Sequence, residues 1–232
     1  MTEGMSLRER KKLQTRHRLL TAATALFAER GFDKVSVAEI AEAAEVSKMT
    51  VFNYFAGKED LVLAPMEEHI GDVARVVRDR GPGESAVAAV RRQFLTAIEA
   101  RDPSAGLSDA PVVLGLRRLI QETPALLIRA HAFSMRSFDL LAEVLVEEGE
   151  EPSIARIAAA QLIVTRNALI SANQMRLLAG ESADAVAPDA VALAERGFDL
   201  LDKGLGGFAT RSRGSRSDGA QGLSDPEPLD TP

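Results

Sequence analysis

Residues 35–55 read VSVAEIAEAAEVSKMTVFNYF, and this stretch decides the fold. Ser36 followed by Glu39 has the spacing of a capping box, so a helix is expected after Ser36 with Val37, Ile40, Ala41 and Ala44 turned inward. Ser47 supplies a second cap, opening another helix that runs to Phe55. Two helices of about two turns each cannot stand alone, because nucleation costs more than so few bonds return. They need a third helix to dock on. Ala41 and Ala44 are small enough for close approach, and the apolar Val46 pins the turn between the two helices. The pattern predicts a helix-turn-helix, a unit that sets the first turn of its second helix into the major groove when it serves DNA.

Working outward, the supporting helix lies just upstream. Leu13, Leu19, Leu20, Ala23, Leu26 and Phe27 recur at helical spacing between Arg10 and Arg30, and Gly31 ends the run. Lys48, Met49 and Thr50 form an exposed first turn after Ser47, and Lys48 and Thr50 can reach phosphates or base edges. Asn53 has the amide that pairs bidentately with adenine, and Tyr54 offers a hydroxyl to phosphate or a ring to a thymine methyl. Val51, Phe52 and Phe55 are assigned to the buried side. Lys58 opens the next helix, where free N–H groups also favour a phosphate. Ser36, Arg10, Arg16 and His17 complete the set of expected DNA contacts.

Charge supports a basic head on an acidic body. The whole chain of 232 residues carries −6, yet residues 1–60 hold 10 Lys/Arg against 9 Asp/Glu, and the remainder sums to −7. Arg8, Arg10, Lys11, Lys12, Arg16 and Arg18 are bunched with only Glu9 opposing them. A solvated helix start is the alternative explanation of that cluster.

The rest of the chain also shows helical periodicity, and no stretch alternates as a strand would. A fourth helix is expected from Gly57 to Arg80, broken at Gly81-Pro82-Gly83. Further helices are expected over 85–100, 110–122, 124–148 and 154–179, and a last one is expected to open at Pro188 and end near Gly206. After Phe208 little remains to bury, so 209–232 is expected to be a disordered tail. The expected organisation is therefore an arm over 1–9, a DNA-binding domain over 10–57, a connector and body over 58–208, and the tail.

Enzyme chemistry finds no foothold. The chain has no cysteine and 3 histidines, which leaves no set at zinc-ligand spacing. Neither a phosphate-binding glycine loop nor a nucleophile elbow is present. No cofactor or metal is expected. No run of about 18 apolar residues is found, so a cytoplasmic protein without a membrane span is the expectation.

Residues 10 to 63 resemble the DNA-binding domain of the TetR (tetracycline-repressor) family. The likeness is carried by Phe27-Ala-Glu-Arg-Gly-Phe32, Ser36-Val-Ala-Glu-Ile-Ala41, Val46-Ser-Lys-Met-Thr50, Phe52-Asn-Tyr-Phe55 and Lys58-Glu-Asp-Leu61. It departs from the family's pattern at two places. Glu45 stands where glycine is usual, so a left-handed turn there would be strained. Phe52 and Tyr54 stand where tyrosine and histidine are frequent, and Phe52 has no hydroxyl for a phosphate.

The resemblance implies an all-helical homodimer, with a three-helix head, a connecting fourth helix and a ligand-binding, dimerising body. It also implies an unidentified small-molecule effector that spreads the two heads, releasing a repressor from a palindromic operator. Activation instead of repression is equally compatible with the sequence. Residues 154–179 and 191–205 have apolar faces wide enough for a four-helix dimer interface, with ordinary core helices as the alternative. Tentative ligand contacts are Phe94, Ile98, Leu114, Arg117, His131, Phe138, Arg166, Asn167 and Asn173, polar groups amid apolar neighbours. Arg166 and Asn167 serve equally well as bonds across a dimer. The rival reading is a helical small-molecule-binding or interaction protein whose head has lost DNA binding.

Overall fold

A computed structural model describes residues 6–205, and all regular structure in that span is helical. The α-helices are α1 (Leu7–Arg30), α2 (Val37–Ala43), α3 (Lys48–Tyr54), α4 (Lys58–Glu67), α5 (Asp72–Arg78), α6 (Ala86–Glu99), α7 (Pro111–Glu122), α8 (Pro124–Glu147), α9 (Pro152–Leu178) and α10 (Ala183–Leu205). A single 3-10 turn, Pro103–Ala105, lies between α6 and α7. The expected tail over 209–232 and the first five residues of the expected arm lie outside the described residues.

Most helix ends follow from their caps. Ser6, Ser36, Ser47 and Ser85 each accept a backbone N–H at the start of a helix. Pro111, Pro124 and Pro152 occupy first-turn positions where no donor is needed. Three boundaries differ from expectation. The first helix starts at Leu7, because Ser6 and Glu9 form a complete capping box upstream of Arg10. The expected fourth helix is two helices. Pro65 removes one donor inside α4, and the chain then passes through i+3 bonds, from His69 to Met66 and from Asp72 to His69, before α5 begins after Gly71. The last helix begins at Ala183 and contains Pro188 in its second turn. Ser182 caps it by accepting from Ala185, and Asp109 accepts from the Ala183 N–H at 2.8 Å.

Two hydrophobic cores result. The head core joins Leu19, Ala23 and Phe27 of α1 to Ile40, Val51, Phe55 and Leu61–Ala64, and is closed by Ile120 of α7 and Leu126 of α8. The body core begins at Val73 and gathers α5, α6, α8, α9 and α10, with Phe94 and Phe198 meeting edge-to-face at 6.0 Å. Leu61–Ala64 of α4 thus belong to the head core, while Val73 of α5 belongs to the body core. The first turns of α4 help α1 cover two short helices that could not bury themselves.

α9 is apolar on two sides. Ala155, Ala158, Ala159, Leu162, Ile163, Leu169 and Leu177 face the body core. Ile154, Ile157, Val164 and Met175 remain 46%, 53%, 65% and 62% exposed, which is a second stripe at helical spacing. On α10, Leu193 and Leu200 are exposed as well.

Candidate nucleic-acid interface

The corner between α2 and α3 is held by local bonds that the sequence spacing dictates. Ser36 accepts from the Glu39 N–H at 3.3 Å, and Glu39 accepts from the Ser36 N–H and hydroxyl, both at 2.8 Å. With Arg30 2.7 Å away, these donors hold the Glu39 carboxyl down to about 2 from 4.5. At the far end of α2, Val46 N–H bonds to Ala41 O and Glu45 N–H to Glu42 O, a Schellman closure. Such a closure needs a left-handed residue, and Glu45 takes it with φ 55°. The strain expected at this position is present.

Ser47 then caps α3 by accepting from the Thr50 N–H at 3.0 Å, while its hydroxyl lies 2.8 Å from that of Thr50. Along α3 the faces separate cleanly. Val51 and Phe55 are buried, Tyr54 is half-buried against the head core, and Lys48, Met49, Phe52 and Asn53 are exposed. The sequence pattern puts Phe52 on the buried side, and its 44% exposure corrects that. A seven-residue helix anchored by Val51 and Phe55 turns position 52 outward with 48, 49 and 53. The Tyr54 ring packs with its centroid 6.5 Å from that of Phe55, and the Phe52 ring lies outside with Lys48 Nζ 5.9 Å from its centroid.

Two expected phosphate contacts are tied to the protein itself. Lys58 Nζ donates to the Phe32 carbonyl at 3.0 Å and sits 4.1 Å from the Phe32 ring centroid, bracing α4 against the α1–α2 corner. Arg16 pairs with Glu68 at the end of α4 and lies 5.5 Å over the Phe55 ring. Arg10, His17, Ser36 and Lys48 are exposed, as are Arg8, Lys11, Lys12 and Arg18 along α1. Position in sequence gave no hint of the brace and the pair, because their partners lie 26 and 52 residues away.

Residues 19–64 match the family described as "Bacterial regulatory proteins, tetR family". Over these residues the head is similar to tetR-family regulators. Among curated relatives, the chain is 33% identical over 125 residues to the HTH-type transcriptional regulator TcmR of Streptomyces glaucescens, a match covering 53% of this chain and 55% of that protein. The chain thus spans about half the length of this relative. Two solved structures share the fold of head and body together. Salmonella enterica GusR aligns over 82% of this chain and 95% of its own, with 20% identity and a TM-score of 0.54. Pseudomonas aeruginosa NalD aligns over 79% and 96%, with 21% identity and the same TM-score. At these identities the likeness concerns the fold alone.

In the body below the head, the structure places the expected ligand residues differently from one another. Phe94, Ile98 and Phe138 are buried in the body core and Leu114 packs against it, while His131 is exposed with Nδ1 3.0 Å from Leu127 O. The remaining polar groups mostly serve one turn. Arg117 donates to Gly106 O at 3.1 Å and Pro103 O at 2.9 Å, Arg166 to Ser104 O at 3.0 Å, and Asn173 to Ala105 O at 2.8 Å. Side chains from α7 and α9 thus reach four consecutive carbonyls, of which Pro103 O also accepts the Gly106 N–H within the turn. Burial pushes the Arg117 guanidinium down to about 10. Asn167 donates to the Ser134 hydroxyl at 2.6 Å, joining α9 to α8 within one chain.

Surface grooves of about 330 and 380 Å³ open beside α10, the first against α9 and the second against α6, and Asn173 lines the first. Among the described residues, no helix is long and apolar enough to cross a membrane, and no cluster of His, Asp or Glu is suited to a metal ion.

Proposed function

We propose that the protein is a transcriptional regulator that binds a palindromic operator as a homodimer and is released from it by a small molecule, most simply as a repressor. The observation that carries this reading is the outward face of α3. Lys48, Met49, Phe52 and Asn53 stand exposed on a helix fixed to the head core by Val51 and Phe55. In the same head, α1 carries exposed Arg8, Arg10, Lys11, Lys12 and Arg18, which suit the phosphate backbone. Dimerisation is supported by the second apolar stripe of α9 together with Leu193 and Leu200 of α10, which a two-fold interface would bury. The repressor assignment draws on the tetR-family head and on NalD, described as the secondary repressor of the MexAB-OprM multidrug efflux pump.

An effector is expected in the body. There Phe94, Ile98 and Phe138 are packed in the core with Leu114 against them, so a ligand reaching them has to part apolar side chains, while Arg117 and Asn173 already serve main-chain carbonyls. This favours a sizeable, largely apolar molecule. Footprinting the DNA around the protein's own gene tests the reading. The expected result is protection of two half-sites about 34–36 Å apart or a multiple of that, lost steeply as salt rises. Absence of any salt-sensitive protection there would sink it and leave the interaction-protein alternative.

A further inference from the structure

The exposed face of α3 carries more than hydrogen-bonding chemistry. Met49 is 70% exposed and Phe52 44%, and the two sit three residues apart, so they are neighbours on the helix surface. Neither can turn inward. The Ser47 cap sets where α3 begins, and Val51 and Phe55 occupy the core side of the same helix. Lys48 holds its ammonium 5.9 Å from the Phe52 ring centroid, which favours an outward ring. Half of the outward face is therefore apolar, and Asn53 and Lys48 supply the other half.

The edges of the major groove display donors, acceptors and a single apolar group, the C5-methyl of thymine. A thioether or a phenyl ring pressed on a guanine oxygen or a cytosine amino group would desolvate it without replacing its hydrogen bond. Pressed on a methyl group, either gains by excluding water, and the unbranched methionine adapts its shape to the contact.

We propose that Met49 and Phe52 are specificity-determining residues that pack on thymine 5-methyl groups, so that each half-site carries thymine where these two side chains reach, beside the base read by Asn53. The proposal rests on the DNA-binding reading above.

The test begins with the full-length protein enriching duplexes from a randomised pool. Each thymine of the enriched operator is then replaced in turn by deoxyuridine, which keeps every hydrogen-bonding group and removes only the methyl. Wild-type protein is expected to bind about fourfold more weakly at one or two positions per half-site, the loss that one buried methyl-sized group brings. Met49→Ala and Phe52→Ala are expected to bind the thymine operator more weakly and each to become indifferent to deoxyuridine at one of those positions. Wild-type affinity unchanged at every replacement overturns the proposal while leaving DNA binding intact. Variants as sensitive to the replacement as wild type also overturn it. A pool that yields no enriched duplex overturns both readings.

Discussion

The head and the body use polar side chains in opposite ways. In the head, Ser36, Glu39 and Ser47 satisfy helix ends three residues away, leaving the outward face of α3 uncommitted. In the body, Arg117, Arg166 and Asn173 reach 11, 62 and 68 residues along the chain to hold the carbonyls of one turn. Polar residues amid apolar neighbours look the same in both regions when only spacing is available. What separates them is whether local geometry has already met their hydrogen bonds. At the α2–α3 corner it has, and the exposed groups of α3 are left for a partner; at the turn of residues 103–106 it has not, and Arg117 and Asn173 in particular are consumed by the fold, as Lys58 and Arg16 are at the edge of the head.

The largest effect that could break this comparison is expected at the held turn itself. Gly106 has φ 77°, and a Cβ there would stand 2.5 Å from the Ile170 carbonyl oxygen of α9. Gly106→Ala adds a left-handed penalty of roughly 1–2 kcal/mol to an overpacking cost of roughly 1–3 kcal/mol, so a loss of about 4 kcal/mol is expected. Denaturant unfolding followed by circular dichroism measures it. A loss below about 1 kcal/mol would mean that the turn moves freely and that its carbonyls do not need the side chains around them.

Next comes Arg117→Ala. It leaves the Gly106 carbonyl without its donor and the Pro103 carbonyl with only the Gly106 N–H, at a cost of about 2 kcal/mol. Recognition by the head should survive where the body remains folded, because the outward face of α3 has no bond to this turn. Purified Arg117→Ala at low temperature is expected to retain operator affinity in a gel shift. Unchanged stability with lost operator binding would reverse the roles assigned to the two regions.

Legibility follows the same division. Caps, first-turn prolines and terminal glycines act within a few residues, so most helices were placed closely from the sequence, as at Ser85, Pro111 and Gly31. Pro65 leaves no mark on the pattern because the periodicity continues across it, and Pro188 reads as a helix start although the capping Ser182 lies nearly two turns earlier. The phase of α3 was misjudged at Phe52 because seven residues make barely two turns, and an aromatic residue is assigned inward by default. Lys58, Arg16, Arg117 and Arg166 were beyond reach for a different reason. Their partners are set by tertiary packing, which spacing along the chain does not encode.

A smaller effect, opposite in sign, is expected at Glu45. Glycine would relieve a left-handed cost of roughly 1–2 kcal/mol and give back roughly 0.5–1 kcal/mol in chain entropy, for a net gain of about 0.5 kcal/mol. Thermal melting of Glu45→Gly should show the rise, and loss of an acidic side chain beside the recognition helix should tighten DNA binding at low salt. A lower melting temperature would show that the Glu45 side chain contributes more than its backbone strain costs.

The smallest effect concerns pH, and it sharpens the claim that the head's polar groups are locally satisfied. Glu39 has its carboxyl held down to about 2 from 4.5, first by the Ser36 N–H, then by the Ser36 hydroxyl and Arg30. A carboxyl depressed on folding adds stability that is fully present above its unfolded value and is lost as pH falls towards the folded one. The window therefore runs from about 4.5 down to about 2. Glu39→Gln keeps an acceptor at the same place but never ionises, so its own contribution does not vary with pH. The melting temperature of wild type minus that of Glu39→Gln should be steady from pH 7 to about 5, then shrink steadily below about 4.5. Taking the difference removes the titration of all other carboxylates, which both proteins share. A difference that stays constant down to pH 3 would show that the ionised form of Glu39 is not what the Ser36 donors stabilise, and that the α2 cap works equally well without the charge.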